Sequence, residues 1–187
     1  MKERIIKEAR HLFSQYGVKT VRLDDIAQQL GISKKTVYQY FTDKEELVRL
    51  MLEEQLNETL AEASSIHEQA PNPVAGALQI WDRLVRYRRT INPNLFRDIE
   101  RHYPTVWHFF EEFRARYLNV ILVTNLRQGV AQGLYRTDLD ELIIAWLWAE
   151  QSQWEVPDER YKTQMKHHFM RGLLTTEGLA LYELLMM

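Results

Sequence analysis

Apolar residues near the N-terminus recur at three- and four-residue steps, the spacing that places side chains on one face of a helix. One such run extends from Ile5 to Tyr16 and meets Gly17, and glycine is common just beyond helix ends. A shorter run from Leu23 to Leu30 meets Gly31 in the same way. The pattern therefore predicts two helices, each closed by a glycine.

A third short helix is predicted directly after this turn, from about Lys34 to Tyr40. Ser33 offers a hydroxyl that can cap its start, and Val37 and Phe41 are spaced to face inward. Two helices joined by a tight turn form a helix-turn-helix, whose second helix enters the major groove of DNA. The first forty residues thus predict a DNA-reading unit.

A capping box is predicted at the start of a fourth, long helix. In such a box the Thr42 hydroxyl accepts a hydrogen bond from the backbone N–H three residues on, and the Glu45 carboxylate accepts from the Thr42 N–H. The helix is expected to last to about Ser65, because the prolines at 71 and 73 interrupt the pattern.

The rest of the chain alternates helical periodicity with short breaks and shows no strand pattern. Helices are predicted at about 74–89, 95–102, 104–128, 139–153 and 158–185, the last with a break expected at Gly172 or Gly178. The predicted fold class is all-α, with a three-helix helix-turn-helix head and a larger helical body. We place the head at residues 1–46 and the body at 47–187.

Charge is unevenly distributed along a chain whose net charge is −2. Residues 1–50 hold ten Lys or Arg against seven Asp or Glu, whereas the remainder holds fourteen against nineteen. A basic end on an acidic body is a modest sign of phosphate binding, although solvation alone explains many such distributions.

The 187 residues include no cysteine, which excludes disulfides and thiolate metal sites. The sequence has no uncharged stretch of about 18 residues and no apolar segment of the signal-peptide type. We therefore expect a cytoplasmic protein with no membrane partner, no metal and no cofactor.

The outward side chains of the predicted third helix carry amide, hydroxyl and ammonium groups, which hydrogen-bond to base edges and phosphate oxygens. A solvated surface helix is the alternative, but two exposed tyrosines around a glutamine serve no purpose in solubility. The outward residues are Lys34, Lys35, Thr36, Tyr38, Gln39 and Tyr40.

Four segments of the chain resemble the DNA-binding head of TetR-family transcriptional regulators, over about residues 3–52. They are Phe13-Ser14-Gln15-Tyr16-Gly17, Asp24-Asp25-Ile26-Ala27, Gly31 through Phe41, and Asp43-Lys44-Glu45-Glu46-Leu47. Two body segments are similar to regions near the family's last two helices, where members commonly dimerise. These are Gly133-Leu134-Tyr135-Arg136-Thr137-Asp138 and Phe169-Met170-Arg171-Gly172-Leu173.

The resemblance implies a role for each polar side chain of the head. Base edges would be contacted by Lys34, Lys35 and Gln39. Phosphates would be contacted mainly by Ser33, Thr36, Tyr38 and Tyr40, and by Lys44 at the start of the fourth helix, where the helix dipole attracts anions.

The head departs from the family pattern at two positions. Lys35 stands where many relatives have a small residue, so the fit of the third helix in the groove differs. Arg22 replaces the usual Ser or Thr cap before the second helix, which loses a cap but offers a cation to phosphate.

A homodimer is expected because a single head makes too few contacts for tight operator binding. A two-fold dimer would read a palindromic operator with its heads about 34 to 36 Å apart. The last two helices carry more apolar surface than packing on their own body requires, although packing entirely within one chain is the alternative. The candidate interface residues are Ile143, Ile144, Leu147, Trp148, Met165, Phe169, Met170, Leu173 and Leu174.

The resemblance also implies a pocket in the body for a small-molecule effector, whose binding would release the protein from DNA. Large aromatic residues at helical spacing are equally typical of a hydrophobic core, and that alternative stays open. The candidate lining residues are Trp81, Tyr87, Trp107, Phe110, Arg114 and Trp146.

An enzyme is the main alternative function, and a helical protein-interaction module is the second. The sequence contains no G-x-S-x-G elbow, P-loop, dinucleotide-binding glycine pattern or H-E-x-x-H pair. His102 and His108 are six residues apart, a poor spacing for two metal ligands on one helix face. An interaction module leaves the first fifty residues unexplained. The sequence favours a DNA-binding repressor that is not an enzyme.

Overall fold

The computed structural model describes residues 1–90, 92, 94–154 and 156–187, without the side chains of residues 87–90, 118, 152 and 153. Within them no strand forms, and Tyr135 and Leu174 make an isolated antiparallel bridge. The all-α prediction is confirmed. The α-helices are α1 (Lys2–Tyr16), α2 (Leu23–Leu30), α3 (Lys34–Tyr38), α4 (Lys44–Gln69), α5 (Pro73–Thr90), α6 (Asn94–His102), α7 (Pro104–Tyr117), α8 (Thr124–Ala131), α9 (Glu141–Gln153), α10 (Glu159–Leu173) and α11 (Thr176–Leu185).

The predicted glycine stops are confirmed at both positions. Gly17 follows α1 with φ 82°, and its N–H donates to the Phe13 carbonyl oxygen. Gly31 follows α2 in the left-handed conformation, with φ 65° and ψ 32°. Glycine reaches positive φ without the steric penalty that a Cβ brings, which is why these two positions end their helices.

The predicted capping box at the start of α4 is wrong by one residue. The Glu46 N–H donates to Asp43 Oδ1 at 2.8 Å, so Asp43 is the capping residue. The Glu46 carboxylate accepts from both the N–H and the hydroxyl of Thr42, at 2.7 and 2.8 Å. Thr42 and Asp43 are both good caps, and each has a glutamate three residues on, so local sequence does not choose between them.

Three other predicted boundaries shift. The fourth helix extends to Gln69, beyond the expected end at about Ser65. The helix predicted at 104–128 is divided by a π-helical segment at Leu118–Val123. The final helix breaks at Leu174, between the two glycines expected to interrupt it, and the Thr175 hydroxyl caps α11 by accepting from the Gly178 N–H.

The first of two compact units comprises Met1–Thr59 and Arg89–Phe113. Its core includes Ile5, Phe13, Val37 and Phe41, each no more than 1% exposed. The Asp98 carboxylate of α6 accepts from the Lys19 N–H at 2.8 Å, so α6 is fixed to the turn that follows α1. The helix-turn-helix is therefore part of a larger packed unit that includes α6.

The second unit comprises Leu60–Arg88 and Arg114–Met187. Its aromatic core places the Phe169 ring 5.5 Å from the Trp81 ring and 5.7 Å from the Trp148 ring, measured between centroids. These separations are those of favourable aromatic pairs. In the described part of the chain, no helix is both long and apolar enough to cross a membrane.

Candidate nucleic-acid interface

Helix α2 has a hydrogen-bonded cap at each end. The Arg22 N–H donates to Asp25 Oδ2 at 2.7 Å, so the acidic half of a capping box is present although arginine supplies no acceptor. After α2, the Ile32 N–H donates to the Ala27 carbonyl oxygen at 3.0 Å, as in a Schellman motif. The bond from Ile32 sets the direction in which the chain leaves α2 toward α3.

Helix α3 is held in place by a polar cap and an apolar anchor. Ser33 Oγ accepts from the Thr36 N–H at 3.0 Å and lies 2.8 Å from the Thr36 hydroxyl. Val37 is fully buried, and Phe41 after the helix is 1% exposed. Ser33 and Thr36 are therefore already hydrogen-bonded to each other. A phosphate contact from either hydroxyl would have to share these polar atoms.

The remaining side chains of the predicted reading surface face solvent. Lys34, Lys35 and Gln39 are exposed, and Tyr38 and Tyr40 are 48% and 41% exposed. Tyr40 lies after the last residue of α3, where its N–H donates to the Val37 carbonyl oxygen. An amide, two ammonium groups and two phenol groups therefore project from one short, anchored segment.

One of these lysines already has an acidic partner. Lys34 Nζ lies 2.9 Å from Asp24 Oδ1, and both side chains are more than half exposed. The Asp24 carboxylate, through its hydrogen bond and charge, raises the pKa of Lys34. An exposed pair of this kind is weak, so a DNA phosphate or base can compete with Asp24 for the ammonium group.

Lys44 is turned into the head rather than toward solvent. Its Nζ donates to the Val18 carbonyl oxygen and lies 5.8 Å from the centroid of the Phe13 ring. Burial of the half-buried side chain lowers the pKa of Lys44. Its ammonium group therefore ties the start of α4 to the turn after α1, in addition to any contact with phosphate.

Four of the predicted DNA-contacting side chains meet around one cleft of about 370 Å³. Arg22, Lys34, Tyr38 and Lys44 line it, together with two carboxylates. The helix-turn-helix thus presents a cationic and hydroxylic concavity beside the exposed face of α3. This is the chemistry that holds a phosphate backbone next to a reading helix.

Residues 5–51, which include most of α1 and all of α2 and α3, match the family described as "Bacterial regulatory proteins, tetR family". The N-terminal head is thus similar in sequence to the DNA-binding head of the TetR family. The match covers every DNA-contacting candidate, from Arg22 to Lys44.

Two relatives of the chain extend the similarity beyond the head. The helix-turn-helix transcriptional regulator YvaF of Bacillus subtilis is 25% identical over 173 residues, which cover 92% of this chain and 88% of YvaF. The repressor KstR2 of Mycolicibacterium smegmatis is 25% identical over 143 residues, covering 74% and 69%. The chain is thus a transcriptional regulator with repressors among its relatives, consistent with a protein that is not an enzyme.

The fold of the whole chain recurs in a protein from Saccharomonospora viridis solved in complex with choline. Its TM-score is 0.71 and its sequence identity 19%, over 93% of this chain and 97% of that one. At this identity the likeness concerns the fold alone.

The effector-lining candidates are divided between the two units of this regulator. Trp107 and Phe110 lie in the first unit with their rings 5.2 Å apart. In the second, Trp81 belongs to the aromatic core, and Arg114 pairs with Glu150. Trp146 is 49% exposed, so its ring faces solvent rather than an interior pocket. The side chain of Tyr87 lies outside the described residues.

Most of the dimer candidates pack within their own chain. Five are at most 7% exposed, namely Trp148, Phe169, Met170, Leu173 and Leu174. Their apolar area is buried in the core of the second unit, so in this arrangement little of it is accessible to a partner. Ile143 is 58% exposed, whereas Ile144, Leu147 and Met165 are half-buried.

Sequence reasoning did not name Leu142 or Tyr117, and it gave Trp146 and Trp148 other roles, as an effector-lining candidate and a dimer-interface candidate. Leu142 and Trp146 are 62% and 49% exposed and flank Ile143 on the surface of α9. The hydroxyl of Tyr117 and the indole N–H of Trp148 are buried, and no atom of the described chain hydrogen-bonds to either. The i, i+4 spacing of Leu142 and Trp146 was a readable signal for a shared face, but burial of a particular polar atom is not visible in sequence.

Proposed function

We propose that this regulator binds a palindromic operator as a homodimer, represses transcription in the cytoplasm, and leaves the operator when a small molecule binds its body. Residues 1–46 would supply the DNA-binding domain, and residues 47–187 the effector-binding and dimerisation domain. The partners are therefore double-stranded DNA, a second copy of the chain and an effector.

The observation that carries this proposal is the outward face of α3 on a helix anchored by Val37. Gln39 carries the amide that pairs with the N6 and N7 edge of adenine, and Lys35 carries a donor suited to guanine. Tyr38, Tyr40 and Arg22 border this face and are exposed, which suits them to phosphate contacts. Reading and positioning groups therefore lie side by side.

The proposed dimer contact is the exposed apolar face of α9. Leu142, Ile143 and Trp146 lie within five residues of one another on this helix, and each is about half exposed or more. Contiguous exposed apolar surface of this kind marks contact sites in soluble proteins. A two-fold contact would cover the same residues on both copies.

The proposal of an effector is supported by the fold. The chain shares its fold with a protein that holds choline, so this architecture has room for a small molecule. Release from the operator would require the ligand to bind the DNA-free arrangement of the protein more tightly than the DNA-bound arrangement.

Selection of bound sequences from random duplex DNA tests the proposed function. The full chain should enrich a two-fold symmetric site whose half-sites are one helical turn apart, about 10 base pairs. Enrichment of an unsymmetric site would contradict the dimer, and no enrichment at low salt would contradict DNA reading itself. A variant with Val37→Asp, which removes the anchor of α3, serves as the negative control.

A further inference from the structure

Two polar groups in the interior of the second unit lack a hydrogen-bond partner among the described atoms. They are the hydroxyl of Tyr117 and the indole N–H of Trp148. Tyr117 is 7% exposed and Trp148 is fully buried, so bulk water does not reach either group in this arrangement. Buried polar groups are bonded in the great majority of cases, and each exception calls for an explanation.

Other buried tyrosines in the same unit are satisfied. The Tyr135 hydroxyl lies 3.0 Å from the Pro73 carbonyl oxygen and 3.1 Å from Asn125 Oδ1. The Tyr182 hydroxyl is hydrogen-bonded to His167 Nδ1. The fold therefore supplies partners for interior hydroxyls elsewhere, and Tyr117 stands apart from its own class.

The surroundings of the two groups are aromatic and balanced in charge. Trp148 packs on Phe169, which packs on Trp81. The nearby cations are already paired, Arg83 with Glu62 and Arg114 with Glu150. An anionic ligand would have to displace a glutamate from its arginine, whereas an uncharged ligand meets no such competition.

The chemistry of the two groups limits what can satisfy them. An indole N–H only donates, so it requires an acceptor. Burial raises the pKa of Tyr117 far above its ordinary value, so its hydroxyl keeps its proton and is also available as a donor. The π-helical segment starts directly after Tyr117 and packs against α9, the helix of Trp148. π-Helical turns occur frequently at functional sites.

We infer that the interior of the second unit binds an uncharged, largely apolar molecule with a carbonyl-type acceptor, which takes hydrogen bonds from Tyr117 or Trp148 against the Trp81 and Phe169 rings. The inference rests on the proposed effector control and names the ligand class. Neither Tyr117 nor Trp148 was among the lining residues expected from sequence.

The unliganded protein gives the first test. Tyr117→Phe removes only an unsatisfied hydroxyl and should leave the thermal midpoint unchanged or raise it. The matched control, Tyr182→Phe, removes a bonded hydroxyl and should lower the midpoint. If Tyr117→Phe lowers the midpoint as much as Tyr182→Phe does, the hydroxyl already has a partner such as bound water, and the inference fails.

Ligand binding gives the second test, with probes that differ in one group. Calorimetry with acetonaphthone should show binding to the wild type, while ethylnaphthalene, naphthoate and choline bind at least about tenfold more weakly. Tyr117→Phe should weaken the binding of acetonaphthone by about tenfold or less and leave the binding of ethylnaphthalene unaffected. Tyr182→Phe should change the affinity for neither compound. Preference for naphthoate or choline over acetonaphthone would overturn the ligand class.

The indole N–H signal of Trp148 in an NMR spectrum reports on this group in the wild-type protein. The ligand titration therefore does not depend on the stability of a variant. The chain has five tryptophans, and the indole N–H signal that is missing from the Trp148→Phe spectrum belongs to Trp148. Acetonaphthone should move that signal downfield and ethylnaphthalene should not. If neither Trp148 nor Tyr117 responds to a bound ketone, the site lies elsewhere.

Operator release is measured separately, so the two proposals fail in different ways. Acetonaphthone that binds as expected without releasing operator DNA contradicts effector control and leaves the site intact. Release that is equally strong in Tyr117→Phe and that leaves the Trp148 signal in place contradicts the site and leaves effector control intact.

Discussion

The Tyr135 ring lies directly against the backbone of Gly129, so close that a Cβ atom on Gly129 would be 2.0 Å from Cδ2 of the ring. The same tyrosine lies within hydrogen-bond distance of the Pro73 carbonyl oxygen and of Asn125 Oδ1. One buried side chain thus joins the end of α8 to the start of α5. Any atom added at Gly129 must push this ring away from both polar partners.

Gly129→Ala should therefore destabilise the protein by roughly 1 to 3 kcal/mol through overpacking, measured by denaturant unfolding. Gly172→Ala is the matched control, because nothing lies within 4 Å of a Cβ placed at this helical position. It should stabilise the protein by about 0.5 to 1 kcal/mol, the gain in helix propensity. Equal changes in the free energy of unfolding for the two substitutions would show that the Tyr135 ring moves aside at little cost.

Glu46→Gln should produce a loss of stability that depends on pH. Hydrogen bonds from Thr42 lower the pKa of Glu46 in the folded chain, so the carboxylate's contribution is full above the unfolded pKa of about 4.3 and is lost as pH falls through the folded pKa. The gap in unfolding midpoint between wild type and variant should close across that acidic range. Glu45→Gln, one residue away, should leave the midpoint nearly unchanged, and a pH-independent gap for Glu46→Gln would contradict the capping assignment.

Trp146→Glu should convert the proposed dimer to monomers while the far-ultraviolet circular dichroism stays helical, because the charge is placed at the centre of the proposed contact. Leu184→Glu changes a residue on α11 that is 69% exposed and should leave the dimer intact. Sedimentation velocity distinguishes the species. Monomers from Leu184→Glu together with dimers from Trp146→Glu would place the contact on α11.

Arg22→Ala should weaken binding to all duplex sequences and flatten the salt dependence of the affinity by about 0.9 per head, the value for one lost phosphate contact on B-DNA. The backbone N–H of Arg22 still caps α2 in this variant. Arg160→Ala removes the same charge from the exposed surface of α10 and should leave the slope unchanged. A common slope for both variants would exclude Arg22 from the phosphate contacts.

The head could be predicted closely because its structure is decided by local rules. Gly17 and Gly31 stop their helices through positive φ, and Ser33 caps α3, as the sequence indicated. The same rules failed at the start of α4, where two adjacent residues could cap equally well. The inward turn of Lys44 was also hidden, because it depends on the distant Val18 carbonyl oxygen.

The second unit was less predictable because the hydrophobic pattern of a helix does not show which surface its apolar face packs against. Phe169 and Leu173 have the spacing of a buried helix face whether the neighbour is their own chain or another, and here they are buried in their own. The π-helical segment escaped prediction because its six residues continue the apolar run without a proline or glycine. The unsatisfied Tyr117 hydroxyl follows from tertiary packing alone.

The most direct measurement of the central claim, that α3 reads base pairs, is a repeat of the random-DNA selection with Gln39→Ala beside wild type. The side chain is exposed on an anchored segment, so the substitution should leave the fold unchanged and alter preference at one base pair in each half-site. The spacing and symmetry of the half-sites should be retained. An identical site from both proteins, with equal discrimination at every position, would contradict the assignment of Gln39 and of α3 as the reader.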